Sequence, residues 1–234
     1  MSDGLRESHY VPDVVPDSDL TYFEGSERRI GWGERPAVLV LDMTGAFVEE
    51  SYPIGRADTG RPAAAATERL LDTAREAGLP VFYTTPLDSG VYPPDYPGVV
   101  ISTVDSERSQ AKQQQWDDAN AIVDRLTPEP DDVVIQKPRA SAFFDTHLAN
   151  VLKHYGIDTL LVAGMKTSCC VRETVVDAHS NNFRVIVTEE CVADASVISH
   201  EVSLFDMEMK FADVDPLEDV LDRLDSRDWE PPQR

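Results

Sequence analysis

Leu160-Leu161-Val162-Ala163-Gly164-Met165-Lys166-Thr167-Ser168-Cys169-Cys170-Val171-Arg172 decides how this 234-residue chain is read. An apolar run ends at Gly164, a short polar turn follows, and a helical pattern begins just after Cys170. An apolar run without alternation is the pattern of a strand covered on both faces. A thiol at the entrance of a helix meets backbone N–H groups and the positive end of the helix dipole, which favour the thiolate. A free cysteine is otherwise most often a small buried hydrophobe. Cys170 departs from that by its company: Asp42 ends the apolar run Ala37–Leu41, and Lys137 ends Val133–Gln136.

The same alternation extends in both directions. Ala37–Leu41, Pro80–Thr84, Val133–Gln136, Thr159–Ala163 and Arg184–Val187 are predicted strands, with a short sixth at Lys210–Val214. Between them, Pro62–Ala77 opens on proline and stops at Gly78, the punctuation of a helix. Gln113–Leu126, Thr146–Tyr155 (stopped by Gly156), Val171–Asn182 and Pro216–Leu224 are the other predicted helices. Residues 86–110, rich in proline and glycine, read as a long loop, and long loops in compact domains are usually functional or mobile. Residues 1–35 form a polar arm whose Tyr10, Tyr22, Phe23 and Trp32 can anchor it on the domain or on a neighbouring subunit. Residues 36–224 form one domain, and 225–234 a solvated tail. Strands alternating with helices imply an α/β fold, a parallel sheet with helices on both faces. Ligands of such sheets bind beyond the C-terminal strand ends. Asp42, Lys137 and the Gly164–Cys170 turn all fall at that edge.

Composition removes several classes of function. The net charge is −22, with 43 acidic and 21 basic residues, only five of them lysines. Such a chain is repelled by nucleic acid and by anionic membranes. No apolar stretch is long enough to cross a bilayer, and the N-terminus lacks a signal-like apolar segment; a cytoplasmic protein is expected. A dense acidic surface poor in lysine suits high salt, where self-repulsion is screened, so a halophilic source is expected. Cys169, Cys170 and Cys191 make no disulfide framework, and no Cys-x-x-Cys or His-x-x-x-His spacing marks a zinc site. A Cys169–Cys170 disulfide would close a strained eight-membered ring.

Asp42, Lys137 and Cys170 together have the parts for acyl transfer. A thiol must lose its proton to become nucleophilic. Asp42 can take that proton, and a lysine between them stabilises carboxylate and thiolate alike. Backbone N–H groups of Lys166 and Cys170 can hold the oxyanion of a tetrahedral intermediate. Each residue also has a plainer role: a turn-capping aspartate, a surface lysine, a packed cysteine. Cys169 and Cys191 read as packing residues and His179 as structural, while His200 lies in a polar stretch without a clear role.

The chain resembles the isochorismatase-like cysteine hydrolases, and within them the N-carbamoylsarcosine and maleamate amidohydrolase type. The resemblance is carried by Arg35 to Met43 with Phe47, by Lys137 to Phe144, by Gly164 to Ala178, and by Glu190-Cys191-Val192-Ala193-Asp194 with Ser199-His200 and Leu204 to Met207. It implies a three-layer Rossmann-like fold with a six-stranded parallel sheet and a triad of Asp42, Lys137 and Cys170. It also implies a cis bond between Met165 and Lys166, a substrate pocket including Phe47 and Thr167, and a homo-oligomer, tetramer or dimer. Nicotinamidase relatives add a metal through histidines after the first aspartate; this chain has none there, so no metal or other cofactor is expected. Two departures stand out. Lys166 replaces a small hydroxyl residue, and Ala195 falls where carbamoylsarcosine-type enzymes hold the substrate carboxylate with arginine. The expected activity is thioester-forming hydrolysis of a small amide or N-carbamoyl compound with release of ammonia. Vinyl-ether hydrolysis, which needs no thiol, and a non-catalytic binding or scaffold role are the competing readings.

Overall fold

Alternate residues of the strand Pro36–Leu41 (β1) are buried in opposite cores. Val38 and Val40 join one apolar cluster, and Ala37, Leu39 and Leu41 the other. That division makes the sheet the middle of three layers. The computed structural model describes residues 2–25, 29–87, 117–226 and 229. The remaining strands are Val81–Pro86 (β2), Val133–Lys137 (β3), Thr159–Met165 (β4), Arg184–Ala193 (β5) and Asp213–Asp215 (β6). They form one six-stranded sheet in the order β3-β2-β1-β4-β5-β6, and every pair is parallel. Helices Ala57–Glu76 and Leu217–Asp225 cover one face through Leu70, Leu71, Val220 and Leu224. Helices Leu148–His154, Arg172–Ser180 and Val197–Lys210 cover the other through Leu152, Val175 and Leu204. The expected α/β fold is the one observed.

The strand order reverses between β1 and β4, and in such sheets that is where the crevice opens. Gly164 makes their approach possible. Its φ is +136°, and a Cβ there would lie 2.1 Å from the Leu41 carbonyl oxygen. Opposite it, β5 carries a bulge: Val162 pairs with Val187, but Gly164 pairs with Val192. The bulge prolongs β5 well beyond the expected Val187, and Cys191 lies inside the strand rather than after it.

Several elements differ from the sequence reading. Helix Ala57–Glu76 starts five residues before Pro62, which it tolerates near its start. Of the expected helix Gln113–Leu126, residues 113–116 lie outside the described residues, as does most of the expected loop from 88 onward. Residues 117–120 are helical. The chain then leaves the helix because Ala121 and Val123 bond to Gly45 and Met43, and Ile122 bridges Thr44. Helix Val197–Lys210 occupies a stretch without a predicted element, and β6 begins after it. The described residues of the arm pack on the domain itself. Leu5, Val15 and Leu20 are buried with Phe205, and His9 Nδ1 is 2.5 Å from Glu208 Oε1. The end is not wholly solvated either, because Trp229 is buried with its ring centroid 5.5 Å from that of Trp32. Among the described residues no helix is long and apolar enough to cross a membrane.

Candidate active site

Asp42, Lys137 and Cys170 come from three strand ends and meet at one point. Asp42 follows the last residue of β1 directly and has a φ of +51°, a left-handed conformation that aspartate tolerates better than most residues. Lys137 is the last residue of β3, and its long side chain reaches across β2 to Asp42. Cys170 lies in a wide π-helical turn, Thr167–Val171, that joins β4 to helix Arg172–Ser180. The sequence placed Cys170 just ahead of a helix; it sits instead within the helical entry turn. The Met165–Lys166 peptide bond ahead of that turn is cis.

The Lys137 ammonium makes three contacts. It is 2.7 Å from Asp42 Oδ2, and donates to Cys170 Sγ at 3.4 Å and to the Arg139 carbonyl at 3.0 Å. Asp42 Oδ1 accepts a hydrogen bond of 2.8 Å from the Thr84 hydroxyl on β2. The contact at Oδ2 is an ion pair off the ideal hydrogen-bond angle, which leaves that oxygen without a well-aligned donor. Asp42, Lys137 and Cys170 are at most 2% exposed. A buried cation without its anion would neutralise rather than stay charged.

These contacts set the proton affinities. Burial alone lowers that of Lys137, but the Asp42 carboxylate, with a lesser contribution from Cys170, outweighs it and holds the ammonium above the usual lysine range. Cys170 is raised well above an ordinary thiol by its hydrogen bond with Cys169, by burial and by the Asp42 carboxylate, with Lys137 opposing. Cys169, half-buried, is lowered by the same thiol–thiol bond. The helix entrance therefore does not make Cys170 a standing thiolate; the hydrogen bond with Cys169, burial and the neighbouring carboxylate prevail over the backbone dipole. Cys191 is pushed up to about 12 by burial.

A second ring of contacts fixes the turn. Asp194, at the end of β5, accepts from the Ser168 backbone N–H at 2.8 Å and from its hydroxyl at 2.7 Å. Its other oxygen accepts from the N–H groups of Ala195 at 2.7 Å and Ser196 at 3.3 Å. The Thr167 hydroxyl is 2.8 Å from His200 Nδ1. Thr174, one turn after Cys170, accepts from the Ala142 N–H at 3.0 Å and so ties the segment following Lys137 to the helix that follows Cys170. Thr84, Ser168 and Asp194 were not singled out in the sequence. The Cys-Val-Ala-Asp block was visible there, but that Asp194 reaches back to Ser168 depends on the pairing of β4 with β5.

The expected pocket residues divide. Phe47 is buried in the short helix Gly45–Val48 after β1, with the Lys166 ammonium 5.6 Å from its ring centroid. Thr167 is fully buried and faces His200. Ala195 is exposed. Among the described residues no three His, Cys, Asp or Glu side chains are grouped to hold a metal ion.

Residues 36–219 match the isochorismatase domain family. The chain is 36% identical over 208 residues to an N-carbamoylsarcosine amidase of Arthrobacter, covering 86% of this chain and 76% of the relative. It is 33% identical over 202 residues to the maleamate amidohydrolase of Pseudomonas putida, covering 84% and 90%. A solved N-carbamoylsarcosine amidase from Thermoplasma acidophilum is 27% identical with a TM-score of 0.62, covering 79% of this chain and 97% of that one. Fold and sequence agree, and the chain belongs to the isochorismatase domain family.

Proposed function

We propose that this protein is a cysteine-dependent amidohydrolase cleaving the C–N bond of a small amide or N-carbamoyl compound. The observation that carries the reading is the Lys137 ammonium held 2.7 Å from Asp42 Oδ2 and 3.4 Å from Cys170 Sγ. The names of the two curated relatives denote amide-cleaving enzymes and support it. The Cys170 proton passes to the Asp42 carboxylate as sulfur attacks the carbonyl carbon. Lys137 stabilises the thiolate in transit, and the N–H groups of Lys166 and Cys170 receive the oxyanion. The C–N bond breaks, Asp42 returns the proton to the leaving nitrogen, and ammonia departs. Water, deprotonated by Asp42, then cleaves the thioester, and the proton returns to sulfur. A carbamoyl substrate gives a carbamate, which loses CO2.

The raised proton affinity of Cys170 fits this order, because the proton leaves only as the substrate arrives. A thiol nucleophile has no part in vinyl-ether cleavage, and a scaffold has no use for a buried charged pair beneath one; both favour the amidase. The reading includes a cytoplasmic place, supported by three free cysteines, and an assembly of identical copies. An ammonia-release screen over small primary amides, ureides and carbamoyl amino acids tests it. Turnover that disappears in Cys170→Ala is expected; silence of the folded wild type across the panel would overturn the reading.

A further inference from the structure

The turn Thr167–Val171 carries two adjacent thiols of unlike exposure. Cys170 is 2% exposed, with the Lys137 ammonium 3.4 Å from its sulfur. Cys169 is only half-buried, and Cys191 is shut inside β5. All three are free. A reagent arriving from solvent therefore meets Cys169 first, one residue from Cys170. Its hydrogen bond with Cys170 lowers its proton affinity, and Lys137 adds to that, against burial and the exposed Glu173. An accessible thiol with thiolate character exchanges with disulfides. The proposed amide cleavage makes no use of it.

A cysteine captured in this way is often released by a second cysteine beside it. Cys170 is adjacent but badly placed for that step. The two sulfurs share a hydrogen bond, yet joining them closes a strained eight-membered ring. It would also distort the turn, in which the N–H groups of Cys169 and Val171 donate to the Lys166 carbonyl at 3.0 and 3.2 Å. A mixed disulfide on Cys169 therefore persists until an external thiol removes it. We propose that Cys169 is a thiolation site whose occupant caps Cys170. The Cys169 thiolate attacks one sulfur of a small disulfide, R–S–S–R. A new S–S bond forms to Cys169, the old one breaks, and RS⁻ leaves and takes a proton from water. Excess free thiol runs the exchange backwards. The group R, held by the more exposed of two neighbouring side chains, crowds the approach to Cys170. The charge of −22 and the nearby Glu173 favour neutral or cationic disulfides over anionic ones. That the cap stops turnover rests on the amidohydrolase reading; that it forms does not.

The test incubates the reduced full chain with cystamine, hydroxyethyl disulfide or glutathione disulfide, followed by intact mass and peptide mapping. A single added group at Cys169 is expected. At low salt cystamine should react faster than glutathione disulfide by roughly tenfold or more, and molar KCl should narrow the gap. In the capped protein Cys170 should escape the iodoacetamide that labels it in Cys169→Ala. Ammonia release should vanish on capping and return with excess thiol, while Cys169→Ala and Cys169→Ser keep it throughout. First uptake at Cys170 or Cys191 would overturn the inference. So would closure of Cys169 onto Cys170 with no group added, glutathione disulfide matching cystamine at low salt, or a cap that leaves Cys170 open to iodoacetamide. Ammonia release undiminished by a cap on Cys169 sinks the capping and leaves the amidohydrolase reading standing. A cap that shields Cys170 in a protein that releases ammonia from no amide does the reverse.

Discussion

Lys137 Nζ stands 2.7 Å from Asp42 Oδ2, and neither side chain is exposed. Such a pair is held by mutual need, since each ion makes the other's burial tolerable. Lys137→Met leaves Asp42 buried and unpaired and should lower stability by about 3–5 kcal/mol, read as a fall in melting temperature. It should also abolish turnover. Asp42→Asn keeps the shape and the Thr84 contact but removes the base; a loss of roughly 10²–10⁴-fold in kcat is expected. Ammonia release by Asp42→Asn at the wild-type rate would remove Asp42 from the mechanism.

The adjacent thiols make an opposite pair of pH predictions. Cys169 is lowered by its hydrogen bond with Cys170, while Cys170 is raised by that bond, by burial and by Asp42. Iodoacetamide without substrate should therefore label Cys169 first. Cys169→Ala removes the bond that raises Cys170, so Cys170 alkylation should move to lower pH while turnover survives. An alkylation profile of Cys170 unmoved by Cys169→Ala would show that the two thiols titrate independently.

Cys191 adds an alkaline limb to stability. Its thiol is pushed up to about 12 by burial, above the ordinary thiol value near 8.5. Between those values the unfolded chain loses a proton that the folded chain keeps, so stability falls as pH rises. Melting temperature should decline from about pH 8.5 upward. Cys191→Ala should start lower at neutral pH, because a buried sulfur is removed, but fall less steeply. Parallel alkaline slopes for the two proteins would contradict the assignment.

Asp194 joins the bulged end of β5 to the turn that carries Cys170. Asp194→Ala strands the half-buried Ser168 N–H and releases those of Ala195 and Ser196, at a cost of about 1–3 kcal/mol where a group is left buried and unpaired. Cys170 should lose its alignment, with kcat falling more than KM rises. Asp194→Asn keeps one acceptor oxygen and should recover part of kcat. A variant that melts early but turns over normally would make Asp194 purely structural.

Those contacts mark the limit of what the sequence disclosed. β1 and β4 were legible because strands buried on both faces are continuously apolar, and Asp42 and Cys170 were legible because each follows such a run; Lys137 ends the edge strand β3, which is apolar only over Val133–Ile135. Helix Val197–Lys210 was not. Its inward residues Ser203, Leu204 and Met207 have helical spacing, and Ser196 caps it through the Ser199 N–H. Val197, Ile198 and Val202 are exposed on its other side and blur the period. The β5 bulge and the raised proton affinity of Cys170 were illegible for a different reason. Both arise where distant segments touch, and neither leaves a local pattern.

The charge of −22 predicts how the fold responds to salt. Exposed pairs such as Arg61–Glu49 and Arg69–Glu218 are screened by KCl, but each is worth only about 0–1 kcal/mol. The surplus of acidic residues repels itself at every separation within the Debye length, which falls from about 8 Å at 0.15 M to about 3 Å at 1 M. Relief of that repulsion should exceed the loss of the pairs. Melting temperature should rise with KCl from low salt into the molar range, most steeply at the lowest concentrations, where screening changes fastest. Sucrose, which favours burial without screening charge, should reproduce little of that initial slope. A melting temperature unchanged or falling with KCl would sink the expectation of a halophilic source.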